Sequence, residues 1–468
     1  MSSIIKPHSI KNEIKETLSI GIPLTASQLI YASSGFIGTA LVAKLGEDAL
    51  AASILVSTVW MTMSVLFFGI LNSVSVLTSH AYGAKNYKEI SNIMGQAYLL
   101  GIMIIILMII VLSFMPVFLR FRDQPPAVIK LATDYMHALL WTMPGLIILI
   151  ISEQFLAGIN RAKIVLRISL LVVPIEIPLI YLLIFGKLGL PACGVAGIGY
   201  GFAITYTITA ISLLCFLYRS SNYRKFNIFN GFFTVNFRYL KELVSIGLPM
   251  GFMHVIEVST FTIATYWIAR FGTTMLAAHQ IVFQFLGFVI TLVFAMSQAV
   301  TVRVGHAVGE QNLIGVRYAS FVGMLLNFGC ITLVALGFYF MPNLFLHLDI
   351  DVHAPQNAAL VQDASALLAI SGVLLLFDNC RIIGFGALRG LKNTRFPMYT
   401  AFFSFWIIGL SAAYILGFKL QLLGPGIWWG LTIGIATGAV MVLVRLYFMI
   451  RHLDLAKLAA MKSNVGGH

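Results

Sequence analysis

Long apolar runs separated by short polar breaks set the pattern of this chain. GIMIIILMIIVLSF (101–114) is apolar on every face, with none of the strict alternation of a barrel strand. About twenty such residues in helical form cross ~30 Å of hydrocarbon. Comparable runs recur from end to end and predict twelve spans, roughly 17–43, 50–78, 90–115, 126–152, 164–186, 194–218, 241–269, 275–301, 314–340, 361–387, 397–417 and 424–447. Only helices and closed barrels satisfy every backbone polar group inside a bilayer. The fold predicted is therefore an all-α integral membrane protein with twelve transmembrane helices.

The polar breaks repeat. IKETLSIGIP (14–23) matches LKELVSIGLP (240–249), AKLGEDALAA (43–52) matches ARFGTTMLAA (269–278), and HAYGA (80–84) matches HAVGE (306–310). All three pairs share one offset of 226 residues, and LAGINRAK (156–163) matches LRGLKNTR (388–395) more loosely at 232. Greasy helices alone would not hold one register across three polar motifs. Two pseudo-symmetric six-helix lobes are expected, 1–218 and 241–468 with a basic C-terminal tail, joined by a cytoplasmic linker over 219–240. Transporters built from such parallel repeats bind substrate near the midplane and rock one half against the other.

Composition agrees with lipid as the solvent: 59% of the 468 residues are hydrophobic and only 10% charged, against about 25% charged in a soluble domain. The net charge of +13 does not point to nucleic acid. Of the 30 Lys and Arg, 22 fall on the side shared by both termini, seven on the other, and Arg381 alone lies deep in a span. The positive-inside rule puts both termini in the cytoplasm. The first thirteen residues carry no cleavable signal pattern, so the first run is expected to stay as a helix. Cys193, Cys215, Cys330 and Cys380 lie in or beside apolar runs without CxxC spacing and read as small hydrophobes. GLKNT (390–394) is too short for a phosphate loop, and no HExxH or GxSxG occurs, so nothing encodes an ATPase, a protease or another enzyme.

GTALVAKLGEDALAA (38–52), LTSHAYGAK (77–85), LAAHQIVFQ (276–284), AVTVRVGHAVGEQNLIG (299–315) and ALRGLKNTRFP (387–397) together resemble the multidrug and toxic compound extrusion (MATE) transporters, within them the NorM-like branch. The resemblance covers nearly the whole chain. It implies two six-helix lobes in the inner membrane of a bacterium, and export of varied, often cationic, organic molecules driven by H+ or Na+ influx. No cofactor is implied beyond that coupling ion.

A charge at the centre of a membrane helix costs roughly 2.5–3.5 kcal/mol on insertion scales, so the acids placed there are candidates for function. Three of the 17 acidic residues lie well inside predicted spans: Glu176, Glu257 and Asp378. Buried carboxyls can carry protons, and with oxygen neighbours they can hold Na+. Glu257, in MGFMHVIEVSTFTIATYW (250–267), matches the family's seventh-helix glutamate of a cation site, with Thr260 at i+3 on its face. Asp378, in LLLFDNCRIIGFG (374–386), matches the tenth-helix aspartate. Na+ at Glu257 and Asp378 follows from the resemblance. Arg381, three residues on, either forms a structural ion pair with Asp378 or keeps both acids charged so that they hold a cation, and its fixed charge competes with Na+.

The N-terminal half departs from the family. Many members carry a first-helix aspartate in a pattern like VDTIMVGRLG; FIGTALVAKLG (36–46) has Gly38 there instead. In the fifth span the family's VNIPLNY-like pattern becomes PIEIPLIY (174–181), with Glu176 at the first asparagine and Ile180 at the second. The acid is expected to have moved from the first helix to the fifth, where Pro174 and Pro178 free backbone carbonyls one turn earlier. The alternative is a structural Glu176 paired with Tyr31 or Gln28. Glu153, Asp134 and Asp363 lie near predicted span ends, where side chains reach water. His80, His279 and His306 look like packing or hinge positions. Tyr31, Gln280, Gln284, Asn379 and Trp267 are expected around a cavity or cation site, where an aromatic face can hold an organic cation.

The leading expectation is a secondary active exporter of organic cations, sufficient as a monomer, with membrane lipid as its surroundings. A flippase for lipid-linked precursors, from the same superfamily, is the alternative. It would want a cationic cavity, and the interior carboxylates outnumber Arg381 three to one. A receptor would want a soluble domain that no loop is long enough to form.

Overall fold

The computed structural model describes residues 10–121, 125–233 and 235–453. Among the described residues there is no strand, and twelve helices are long and apolar enough to cross a membrane. They are α1 (Ile10–Leu45), α2 (Glu47–Gly83), α3 (Tyr87–Phe114), α4 (Pro126–Gly158), α5 (Ala162–Phe185), α6 (Ala196–Arg219), α7 (Phe237–Phe271), α8 (Thr273–Gly309), α9 (Leu313–Phe340), α10 (Pro355–Gly390), α11 (Arg395–Lys419) and α12 (Leu423–Arg451). Several run a turn or two beyond the apolar stretch that predicts them, because polar residues extend a helix past the hydrocarbon. This matters most for α4.

The repeat register is visible in the backbone. Gly46 and Gly272, 226 residues apart, both take φ 107° between a single tight turn and the helix that follows, a conformation open to glycine because it lacks Cβ. Lys85 and Gln311 share a left-handed turn at φ 54° and 57°, and Asn160 and Lys392, 232 residues apart, share another at φ 60° and 58°. The chain solves each corner the same way twice.

Two compact units divide the chain: Ala26–Leu248, and Met1–Thr25 with Pro249–His468. The division falls inside α1 and α7, beside Pro23 and Pro249, which are repeat equivalents. The N-terminal unit thus holds the start of α7, and the C-terminal unit holds the start of α1.

Lipid gives little hydrophobic drive for helices to associate, so close approach of small residues and interhelical hydrogen bonds must do so. In the C-terminal unit the Ser297 hydroxyl donates to the Ile382 carbonyl at 2.7 Å and Thr301 donates to that of Gly386 at 2.8 Å, tying α8 to α10. A Cβ on Gly390 would lie 2.6 Å from Val304, and its repeat equivalent Gly158 meets Thr78 at 2.9 Å. Along α12, Gly426, Gly430, Gly434 and Gly438 recur every four residues and present one small-residue face. The backbone of α11 presses on that face, with Ser404 O 2.4 Å from where a Gly434 Cβ would stand, and widens to π-helical turns over 402–409. In the N-terminal unit the stretch after α6 is docked onto α3. Ser91 donates to the Asn227 carbonyl at 2.7 Å and Gln96 to that of Gly231 at 3.3 Å. Phe226 packs edge-on against Tyr87 and Phe155.

One ion pair anchors the start of α1 within the C-terminal unit. Arg303 of α8 grips Glu13 with two parallel bonds, Nε to Oε1 at 2.8 Å and Nη2 to Oε2 at 2.7 Å, and Glu13 is only 2% exposed. Removing one partner of such a buried pair costs about 3–5 kcal/mol. Glu13→Gln is expected to lower the midpoint of thermal unfolding in detergent markedly, and adding Arg303→Gln to recover much of the loss. Additive losses in the double variant would show that the two side chains are not coupled.

Candidate functional site

Apart from the Glu13–Arg303 pair, buried charge gathers in one cluster in each unit. In the N-terminal unit α1, α4, α5 and α6 supply it. The Tyr31 hydroxyl of α1 donates to Glu153 Oε1 of α4 at 2.9 Å. One turn on, Ser34 of α1 donates to Glu176 Oε1 of α5, which is fully buried. The Tyr206 hydroxyl of α6 interacts with both carboxyls, yet Glu176 Oε2 is enclosed without a hydrogen bond of ordinary geometry. The groups that act on Glu176 are Ser34 and Tyr206, both neutral. A carboxylate in that position has lost its water and gained no opposite charge.

Two expectations change here. Tyr31 pairs with Glu153, not with Glu176, and Gln28 is exposed. Glu153 is not a span-end residue reaching for water: α4 continues to Gly158, which carries Glu153 inside the helix and half-buries it. Asp134 is exposed as expected. Gly38 stands one turn past Ser34, is itself buried, and has no atom within 4 Å of where a Cβ would be. The place of the family's first-helix aspartate is therefore open space one turn from Ser34.

In the C-terminal unit α7 and α10 face each other. Glu257 and Asp378, 8% and 2% exposed, are brought together, with the 2% exposed Arg381 between them. Arg381 Nη1 donates to Glu257 Oε1, Nε donates to Asp378 Oδ1 at 2.7 Å, and Nη2 lies 2.6 Å from the same oxygen. The guanidinium lies over the rings of Phe385 and Phe405, 5.0 and 4.8 Å from their centroids. His254, one turn before Glu257, places Nδ1 3.4 Å from Glu257 Oε2.

The expected neighbours divide. Asn379 accepts from Asn327 Nδ2 at 2.6 Å, leaving its own amide nitrogen enclosed without a partner. Thr260 is buried on the Glu257 face, but its hydroxyl donates to the Ile256 carbonyl at 2.8 Å. Gln280 and Gln284 are exposed, and Trp267 packs on Tyr414 and Phe418. His279 is a packing residue with a fixed tautomer. The Trp428 indole can only donate, at 3.2 Å to Nδ1, so Nε2 carries the proton and meets Thr265 Oγ1 at 2.9 Å. Ser34, Tyr206, His254 and Asn327 had no signal in sequence, being ordinary polar residues in apolar helices.

Twelve spans, a repeat in the sequence and a buried carboxyl cluster in each unit define a polytopic helical membrane protein. The MatE family model matches residues 23–182 and 249–415, one match in each half, and the chain belongs to that family. The Multidrug resistance protein NorM of Burkholderia vietnamiensis is 31% identical over 446 residues, 94% of this chain and 95% of that protein. The Probable multidrug resistance protein NorM of Rhizobium meliloti is 28% identical over 97% of each. A crystal structure of a Vibrio cholerae MATE transporter superposes with a TM-score of 0.86 at 16% identity, covering 95% of this chain and 99% of that one.

The space at Gly38 can be tested through stability. Gly38→Ala adds a methyl group to an open position in a helix and is expected to gain about 0.5–1 kcal/mol. Gly201→Ala in α6 would put its Cβ 2.5 Å from Ile180 and is expected to cost ~1–3 kcal/mol. Thermal unfolding of the two variants in detergent should therefore shift in opposite directions. A Gly38 variant less stable than the Gly201 variant would mean that the space is filled.

Proposed function

We propose that the chain is a multidrug efflux transporter, exchanging organic and often cationic compounds for inward-moving H+ or Na+. It would work as a monomer in the cytoplasmic membrane of a bacterium, both termini inside, with lipid around it and no cofactor beyond the ion. Family membership and the multidrug resistance names of the relatives support the efflux reading. One observation carries the coupling: Glu176 is buried, one of its oxygens has no hydrogen bond of ordinary geometry, and the groups acting on it, Ser34 and Tyr206, are neutral.

A lone carboxylate deprived of water is costly, and a bound proton or cation removes the cost. Glu176 is thus a group that gains by taking up a positive charge and loses by releasing it. The ion drives transport only if the two access states bind it with different affinity. Tyr31, Tyr206 and Ser34 supply hydroxyls that donate to the carboxyls when they are charged, and Glu153 is a second acid within the same cluster. In the C-terminal unit the resemblance puts a cation at Glu257 and Asp378, and there Arg381 already stands between the two acids.

Liposomes loaded with the protein and a fluorescent organic cation supply the test, with proton and sodium gradients imposed separately. One gradient should drive export by wild type, and Glu176→Gln should lower that gradient-driven rate by about tenfold or more while dye still binds. If neither gradient moves the dye, the efflux reading falls. If the variant exports as wild type does, Glu176 is not the coupling group.

A further inference from the structure

We infer that Arg381 is a resident cation that takes the place of a coupling ion in the C-terminal unit, leaving ion uptake to the carboxyl cluster of the N-terminal unit. The inference rests on the reading of the chain as an ion-driven exporter. It also revises where the coupling ion binds.

A site for a hard cation needs oxygens with free lone pairs. In the C-terminal unit three of the four carboxylate oxygens of Glu257 and Asp378 face donors. Asp378 Oδ1 receives both Nε and Nη2 of Arg381, and Glu257 Oε1 receives Nη1. Glu257 Oε2 faces His254 Nδ1 at 3.4 Å. The amide oxygen of Asn379 accepts from Asn327.

Charge makes the same point. Arg389, one helical stretch further along α10 and also buried, interacts electrostatically with Glu257 and is bonded to the Ser297 hydroxyl at 2.6 Å. Two carboxylates and two guanidiniums leave no net charge for an ion to neutralise. Glu176 has no such compensation.

The guanidinium is also seated. Phe385 and Phe405 both offer ring faces to it. Gly438, the last of the small-residue run on α12, lets the Arg381 stem pass where a Cβ would come within 3.3 Å of its Cδ. A coupling ion must arrive and leave in each cycle. A guanidinium is not deprotonated in proteins and is tethered to the chain, so it does neither. What it can do is hold α7 to α10 at every stage of transport.

The experiment measures binding of radioactive 22Na+ to purified protein in detergent, with choline replacing sodium in the controls. Wild type should show no saturable sodium binding that depends on Asp378 or Glu257; any it shows should vanish with Glu176→Gln. Arg381→Gln should create a saturable site, and adding Glu257→Gln should abolish it. Should Arg381→Gln not fold, Arg381→Met keeps the apolar stem beside Phe385 and Phe405 and should likewise bind sodium. Saturable binding by wild type that survives Glu176→Gln and is lost on Asp378→Asn overturns the inference. So does a folded Arg381 variant that binds none. If these binding results hold while no gradient drives dye export, the efflux reading falls and the role of Arg381 stands. Sodium-driven export by wild type that needs Glu257 gives the reverse.

Discussion

A polar group inside hydrocarbon has no water to fall back on, and the rest of this structure follows from that constraint. It turns every span into a helix, since only helices close their backbone bonds within one segment. It sends hydroxyls back to their own chain, as with Thr260 on Ile256 and Thr432 on Trp428. It gives each buried charge a partner: Glu13 has Arg303, Glu257 and Asp378 share Arg381, and Glu153 has Tyr31. Glu176 obeys the rule only in part, one oxygen met by Ser34 and the other by nothing of ordinary geometry, and Asn379 Nδ2 and Arg389 Nε are also left over. Among these groups Glu176 is the acid with only neutral groups acting on it, which is where binding of a positive charge has most to gain.

The two halves share a backbone but not a chemistry. Their corners coincide at Gly46 and Gly272, and at Asn160 and Lys392. At the same register Tyr31 of α1 stands where Glu257 stands in α7, and Glu153 of α4 stands where Phe385 stands in α10. In one half a tyrosine hydroxyl reaches an acid on the fourth helix of the repeat. In the other the acid is on the first helix, and the fourth brings an arginine flanked by that phenylalanine. The helix pair that meets is the same, and the charge has changed places across it.

Helices, the repeat register and the Asp378–Arg381 pair were legible in the sequence, because each depends on local spacing, whereas the meeting of Glu257 with that pair was implied by the resemblance alone. The partners of Tyr31 and Glu176 were not legible. Glu153 was judged by its distance from the end of an apolar stretch, and the helix runs on past that stretch to Gly158. Glu13 and Arg303 are 290 residues apart, each near a polar boundary where a charge usually meets water. Thr260 shows a different limit: spacing put it on the Glu257 face, but spacing does not say whether a hydroxyl points across to a neighbour or back to its own carbonyl. A glycine every four residues on α12 stands openly in the sequence, and it is what lets α11 and the Arg381 stem come close.

Duplication explains how such asymmetry can be tolerated. If both halves had to take up and release an ion, each would have to keep a carboxylate poised between charged and neutral, with the cost in stability that an unpaired buried acid carries. Once one half does so, the other is free to close its site with a permanent cation. Its acids then brace α7 against α10 and give up their exchangeable guest. In the proposed cycle the half with Glu176 responds to the gradient and the half with Arg381 does not, so any coupling to the second half must travel through motion of the helices. That places the weight of the mechanism on the stretches where the chain passes from one compact unit to the other. Those stretches lie inside α1 and α7, beside Pro23 and Pro249, where a missing backbone hydrogen bond lets a helix bend.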